Sequence, residues 1–190
     1  MKVIVKNKER LLDDFVRVDR SVIQHEKFDG SLTKELIRLN VDRGDSVAAI
    51  IVNPAKRTFL FVEQFRYPVY TKEPEGAWIL EIVAGTIEAH QTPEHTIIRE
   101  IQEEIGYSVR NLRPIFHFYP SPGASNEIIY LFYGEISPTQ HTSAGGGVIS
   151  EGEDIRVVEI SFEKAFAMMQ NGEINDAKTL IALQWFKLNQ

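Results

Sequence analysis

The chain has 190 residues, a formal net charge of −6 and no cysteine. This length fits one domain with a small extension, and it is sufficient for a full apolar core. The absence of cysteine excludes disulfide frameworks, thiolate zinc sites and cysteine nucleophiles. The acidic balance argues against nucleic acid as a partner, because that partner requires a clustered cationic surface. Without a signal-like or membrane-spanning apolar run, we expect a cytoplasmic protein with no membrane partner.

The N-terminal part of the chain reads as short extended segments around a turn. Residues 15–18 alternate between apolar and polar side chains, and residues 36–41 have the pattern of a returning strand. Between them, Asp29-Gly30 favours a hairpin turn in which both central residues have positive φ. We therefore predict an antiparallel strand extension over residues 1–42 and a main domain over residues 43–190.

The main domain shows strand patterns interrupted by one long helical pattern, and two further helices close the chain. The predicted strands cover residues 47–52, 58–62, 78–84, 115–119, 128–133 and 155–160, and the predicted helices cover residues 93–105, 162–170 and 177–188. This order of elements favours an α+β or α/β sandwich with a mixed central sheet.

The helix predicted over residues 93–105 carries an unusual concentration of acid. Its isoleucines repeat at helical spacing and form a stripe to be buried. Glu100 and Glu104 stand one turn apart beside that stripe, where like charges repel, and Arg99 cannot neutralise both of them together with Glu103. A hard divalent cation could do so, since Mg²⁺ prefers oxygen ligands. A solvated acidic face is the alternative for the helix considered alone.

The residues around this helix favour the metal interpretation. The segment from Gly85 to Tyr107 contains Gly85, Arg99-Glu100, Glu103-Glu104 and a closing Gly106 at the spacing of the Nudix box, and it resembles that signature. Two positions differ from the family pattern, with Gln91 in place of a glutamate and Tyr107 in place of a small aliphatic residue. The resemblance implies a Nudix fold and a hydrolase; Gln91 bears on the number or affinity of the metal ions.

Four further segments resemble the branch of the superfamily that contains the ADP-ribose and GDP-mannose pyrophosphatases. They are residues 42–45, 62–66, 121–127 and 144–155. The likeness implies Mg²⁺-dependent cleavage of a nucleoside-diphosphate sugar into a nucleoside monophosphate and a sugar phosphate, with Mn²⁺ as a substitute metal. ADP-ribose is the first substrate expected and GDP-mannose the second. It also implies a homodimer in which the N-terminal extension is exchanged between subunits.

The same resemblance assigns roles to individual residues. The metal ligands implied are the Ala84 carbonyl, Glu100, Glu104 and Glu153. Glu151 is the implied general base, with Glu103 as the reserve.

The substrate contacts implied are Arg43, Arg66, Phe28, Gly85, Glu127 and Lys178. A guanidinium offers a bidentate fork to phosphate, although either arginine alone could equally form a surface ion pair. Core packing is the alternative for Phe28.

Glycines 145–147 predict a mobile loop that closes over the substrate and delivers the acids that follow it. A loose surface connection is the alternative for this loop. For the whole chain, two other functions stay open: a Nudix-fold sensor that binds a nucleotide without hydrolysing it, and a hydrolase of dinucleoside polyphosphates.

Overall fold

The computed structural model describes residues 1–109 and 111–189, which form two compact units. The first unit consists of Met1–Asp45 and Tyr119–Ile128, and the second contains the other described residues. None of the helices in these two ranges is both long and apolar enough to span a membrane.

The first unit contains a three-stranded antiparallel sheet in the order β1 (Val3–Asp13), β2 (Arg17–His25) and β3 (Leu36–Asp42). The predicted strand extension is therefore present. Strand β1 was not predicted, because its polar residues do not alternate with apolar ones. It forms a strand because it pairs with β2. Gly30 has φ +80, whereas Asp29 is not among the described residues with positive φ, so that part of the turn prediction was wrong.

The second unit contains a seven-stranded mixed sheet. Its strands are β4 (Ser46–Asn53), β5 (Thr58–Phe65), β6 (Trp78–Glu81), β7 (Val83–Thr86), β8 (Leu112–Phe118), β9 (Ile129–Glu135) and β10 (Arg156–Ser161). The order is β10-β5-β4-β9-β8, with β6 beside β5 and β7 beside β4, and the β4–β9 pair is parallel. The single strand predicted over residues 78–84 is two strands in the structure. The pairing partner changes at Ile82, because β6 pairs with β5 and β7 pairs with β4.

Helices cover both faces of this sheet. They are α1 (Tyr67–Tyr70), α2 (Pro93–Ile105), α3 (Phe162–Asn171) and α4 (Ala177–Leu188). Alternate residues of β4 belong to two separate apolar clusters, one containing α2 and the other containing α3 and α4. Every residue of β4 is buried, which explains its continuous apolar sequence. The predicted helix–sheet–helix sandwich with a mixed sheet is thus confirmed.

Candidate metal and diphosphate site

Helix α2 has the bounds that the sequence predicts. The Thr92 hydroxyl accepts a hydrogen bond from the His95 N–H, and Pro93 occupies the first turn. At the other end, Gly106 has φ +75 and its N–H donates to the Gln102 carbonyl, which ends the helix. Both ends are fixed by local chemistry, so the acids between them have defined positions on the helix.

Two of these acids point into the protein. Glu100 and Glu104 are only 7% and 2% exposed, and Glu104 Oε2 accepts the Ala84 N–H at 3.2 Å. Strand β7 therefore lies directly against the acidic side of α2. A Cβ atom at Gly85 would lie 2.0 Å from Glu100 Oε1, so only glycine leaves room for this carboxylate. The sequence-predicted Ala84, Gly85, Glu100 and Glu104 are brought together here.

The burial of these carboxylates has an electrostatic cost. Burial raises the pKa of Glu100 to about 7, although Arg99 opposes the shift. Burial and the neighbouring Glu100 also raise the pKa of Glu104 well above its usual value. The charge of Glu153 contributes to both increases, which assigns Glu153 to the same acidic group. Additional positive charge would allow Glu100 and Glu104 to ionise together.

The helix supplies one cation of its own, Arg99. Its guanidinium contacts Glu103 at 2.6 Å, Glu100 at 2.8 Å and Glu88 at 3.7 Å. These contacts do not extend to Glu104. Within residues 1–109 and 111–189, the buried Arg99 Nε has no hydrogen-bond partner. One arginine shared among three partners leaves the acidic group short of positive charge.

The donors in this group fit a hard divalent cation. All of them are oxygen atoms, and Mg²⁺ is usually held by one or two carboxylates completed by substrate phosphates and water. In the described part of the chain, no three His, Asp or Glu side chains are already gathered closely enough to hold an ion. Oxygens supplied by a phosphate substrate would complete such a site.

The glycine loop is bonded to the end of α2. The Gly146 N–H donates to the Glu104 carbonyl and the Gly147 N–H to the Glu103 carbonyl, each at 3.0 Å. The three glycines have φ values of +69, +107 and +82, and a Cβ at Gly145 would lie 2.5 Å from the Glu104 carbonyl oxygen. The interpretation as a loose connection was wrong, because these glycines allow a close backbone approach. Closure over a substrate stays a prediction.

The acids after this loop differ in their surroundings. Glu153 is half-buried, and its Oε2 accepts the Val148 N–H at 2.8 Å. Glu151 ends a short 3₁₀ turn, Ile149–Glu151, and is exposed to solvent. The charge of Glu153 acts on Glu100 and Glu104, and the roles of Glu151 and Glu153 stay predictions.

A second charged group lies at the end of β6. Glu81 accepts hydrogen bonds from Arg66 Nε at 2.6 Å and Nη2 at 2.9 Å, and it also pairs with Lys178. Arg66 and Lys178, both predicted substrate contacts, thus meet at one carboxylate. Glu81 is not among the site residues predicted from the sequence; the signal that could have identified it is a single acidic residue within the otherwise apolar run of residues 78–84.

Three predicted contacts belong to the first unit. Arg43 Nη1 lies 3.5 Å from Glu127 Oε1, and the Glu127 side chain is buried. Phe28 is fully exposed at the Asp29-Gly30 turn. The core-packing alternative for Phe28 was wrong, because a fully exposed side chain is not packed in a core. The substrate roles of these three residues stay predictions.

The chain is similar to known proteins over most of its length. The family model for the NUDIX domain matches residues 42–188. The GDP-mannose pyrophosphatase of Pectobacterium atrosepticum is 36% identical over 180 residues, which cover 95% of this chain and 91% of that protein. Proteins of the same name from Escherichia coli O157:H7 and Shigella dysenteriae serotype 1 are each 35% identical over 176 residues, covering 93% of this chain and 85% of each relative.

Proposed function

Because the chain belongs to the NUDIX domain family and is a pyrophosphatase of that family, we propose that it hydrolyses GDP-mannose in the presence of Mg²⁺. The products are a nucleoside monophosphate and a sugar phosphate. The observation that carries this proposal is the pair of buried carboxylates, Glu100 and Glu104, that the protein's own cations leave incompletely neutralised.

The order of substrates differs from the one that the sequence suggests. ADP-ribose came first in the sequence analysis, and the names of the relatives favour GDP-mannose. ADP-ribose becomes the second candidate. Both compounds have a diphosphate between a nucleoside and a sugar, so the reacting groups are the same. A cytoplasmic location stays part of the proposal.

Glu100, Glu104, Glu153 and the Ala84 carbonyl are the proposed ligands of Mg²⁺, with Mn²⁺ as a substitute. A bound divalent cation supplies positive charge to the diphosphate and acidifies the attacking water. Burial keeps Glu100 and Glu104 away from bulk solvent, and the Ala84 N–H holds the Glu104 carboxylate against β7.

Glu151 is the proposed general base. Its exposed carboxylate has no arginine partner among the described residues, so it can accept a proton from water. Glu103, the reserve, forms an ion pair with Arg99 at 2.6 Å, so its carboxylate is less available to a water molecule than that of Glu151.

The first unit is proposed to contribute substrate contacts in a homodimer. Arg43, Glu127 and Phe28 belong to this unit, and Ile37 and Leu39 of its β3 are each more than half exposed. Apolar side chains exposed on a sheet favour burial by a second copy of the chain. Light scattering coupled to size exclusion tests the proposal; a monomer at micromolar concentration would contradict it.

A panel of nucleoside-diphosphate sugars and dinucleoside polyphosphates tests the activity. Each compound is incubated with the protein and Mg²⁺, and alkaline phosphatase then releases phosphate from the monophosphate products. We expect the highest kcat/KM with GDP-mannose. Binding without hydrolysis would support the sensor, and preference for a dinucleoside polyphosphate would support the other hydrolase.

The two candidate bases are separated by matched amide variants. We expect Glu151→Gln to lower kcat about a hundredfold or more, because the amide keeps the shape of the side chain and removes its basicity. Glu103→Gln serves as the comparison and should retain more activity. Near-full turnover of Glu151→Gln would transfer the role to Glu103.

A further inference from the structure

Glu81 is a buried carboxylate shared by two cations. It is the last residue of β6, is 2% exposed, and binds both Arg66 and Lys178. The arginine presents its Nε–Nη2 edge to the two carboxylate oxygens, at 2.6 and 2.9 Å. This side-on arrangement fixes the plane of the guanidinium. It leaves Arg66 Nη1 without a hydrogen bond to the described residues, and therefore available to a ligand.

The second cation is fixed just as firmly. Lys178 lies in the first turn of α4, and Asp176, the N-cap of that helix, accepts its Nζ at 3.1 Å. Asp176 also accepts the Thr179 hydroxyl at 2.6 Å, and the Thr179 oxygen accepts the Ile82 N–H at 2.9 Å. The start of α4 is thus hydrogen-bonded to the residue that follows Glu81. This bond fixes the position of Lys178 relative to Glu81.

Arg66 belongs to the electrostatic surroundings of the acidic group. Ile82, bonded to Thr179, stands two residues before Ala84, whose N–H is bonded to Glu104. The charges of Arg66 and Glu104 interact with each other. An anion held at Glu100 and Glu104 by a cation would therefore lie in the electric field of Arg66.

From this geometry we infer that Glu81 is a positioning residue, which holds Arg66 and Lys178 in one fixed arrangement so that they bind the diphosphate of the substrate. The inference rests on the proposed function. A buried ion pair gives little net stability over apolar side chains of similar volume, so stability alone does not account for an acid at this position. A carboxylate that orients two cationic side chains for binding phosphate does account for an acid at this position.

Kinetics of the full chain with GDP-mannose and saturating Mg²⁺ test the role. We expect Glu81→Gln to raise KM about ten- to thirtyfold and to lower kcat less than tenfold, because both cations lose their orientation. Glu159→Gln is the matched control, since Glu159 also binds several partners, Lys56, Thr58 and Asn53, at the far end of β5. Its KM and kcat should stay within about twofold of the wild type.

A double-mutant cycle separates positioning from a structural role. If Glu81 acts through Arg66, Glu81→Gln should change KM less than threefold in an Arg66→Met background. An equal change in both backgrounds would overturn the inference. Arg66→Lys serves if Glu81→Gln does not fold: it keeps the charge but not the side-on pair, and we expect a KM increase of at least tenfold. A wild-type KM in Arg66→Lys would also overturn it.

Two failures are distinguishable. If the wild type hydrolyses no nucleotide sugar, the proposed function falls and this inference falls with it. If the wild type is active and Glu81→Gln behaves like Glu159→Gln, the inference alone is overturned.

Discussion

Glu81 and Glu104 are equally buried, each 2% exposed, yet their surroundings shift their pKa values in opposite directions. Burial tends to raise the pKa of both. At Glu81, Arg66 and Lys178 reverse that tendency and hold the pKa below its usual value. At Glu104, the neighbouring Glu100 adds to it, and the pKa is raised well above the usual value.

The difference separates two uses of a buried acid. The Glu81 carboxylate is balanced by cations that the chain itself provides, so it needs no cation from solution. Among residues 1–109 and 111–189, Arg99 is the one cation in direct contact with the group around Glu100 and Glu104, and that arginine is shared with Glu103 and Glu88. An acidic group left short of positive charge is suited to a cation from solution.

Removing a carboxylate from the unbalanced group should have the largest effect on catalysis. We expect Glu104→Gln to lower kcat/KM by roughly a thousandfold, since the cation contributes several kcal/mol of charge stabilisation in the transition state. Its stability in urea should equal or exceed that of the wild type. If Glu104→Gln retained a tenth of the wild-type kcat/KM, Glu104 would not differ from Glu81 in needing a cation from solution.

Displacing Glu100 without changing its charge should have the next largest effect. Gly85→Ala introduces a Cβ 2.0 Å from Glu100 Oε1, so the carboxylate must move. We expect an apparent Mg²⁺ affinity about ten- to a hundredfold weaker, the range seen when the support of metal ligands is removed. The measurement is activity as a function of Mg²⁺ concentration. Gly76→Ala is the control, because there the Cβ meets only the flexible Glu73 side chain, and it should leave the affinity unchanged.

The last expected effect concerns the stability of the metal-free protein. The pKa of Glu100 in the folded state is about 7, above that of an unfolded chain, so folding favours the protonated form. Its contribution is therefore present at low pH and lost as the pH rises from about 4.5 through 7. We expect Glu100→Gln to match the wild type near pH 4.5 and to exceed its free energy of unfolding by about 2–3 kcal/mol at pH 8.

Urea unfolding in a chelator at several pH values makes this measurement. Saturating Mg²⁺ should remove the advantage of the variant at pH 8. A constant difference across the pH range would mean that Glu100 ionises normally, and the acidic group would then need no cation.

The sequence by itself determined the elements whose signals are local. The bounds of α2 and α4 follow from capping residues and turn signals near their ends, and the continuous apolar run of β4 marks a strand buried on both faces. The spacing of Gly85, Glu100 and Glu104 likewise identified the core of the site, because a helix fixes which of its residues share a side.

Tertiary structure decided what depends on contacts between distant segments. The break at Ile82 arises because β6 pairs with β5 and β7 with β4. The glycine loop is bonded to carbonyls about forty residues earlier in the chain, and Glu81 meets a lysine 97 positions away. Local propensity carries no information about such partners, because the free energy of a buried charge depends on which groups the fold places around it.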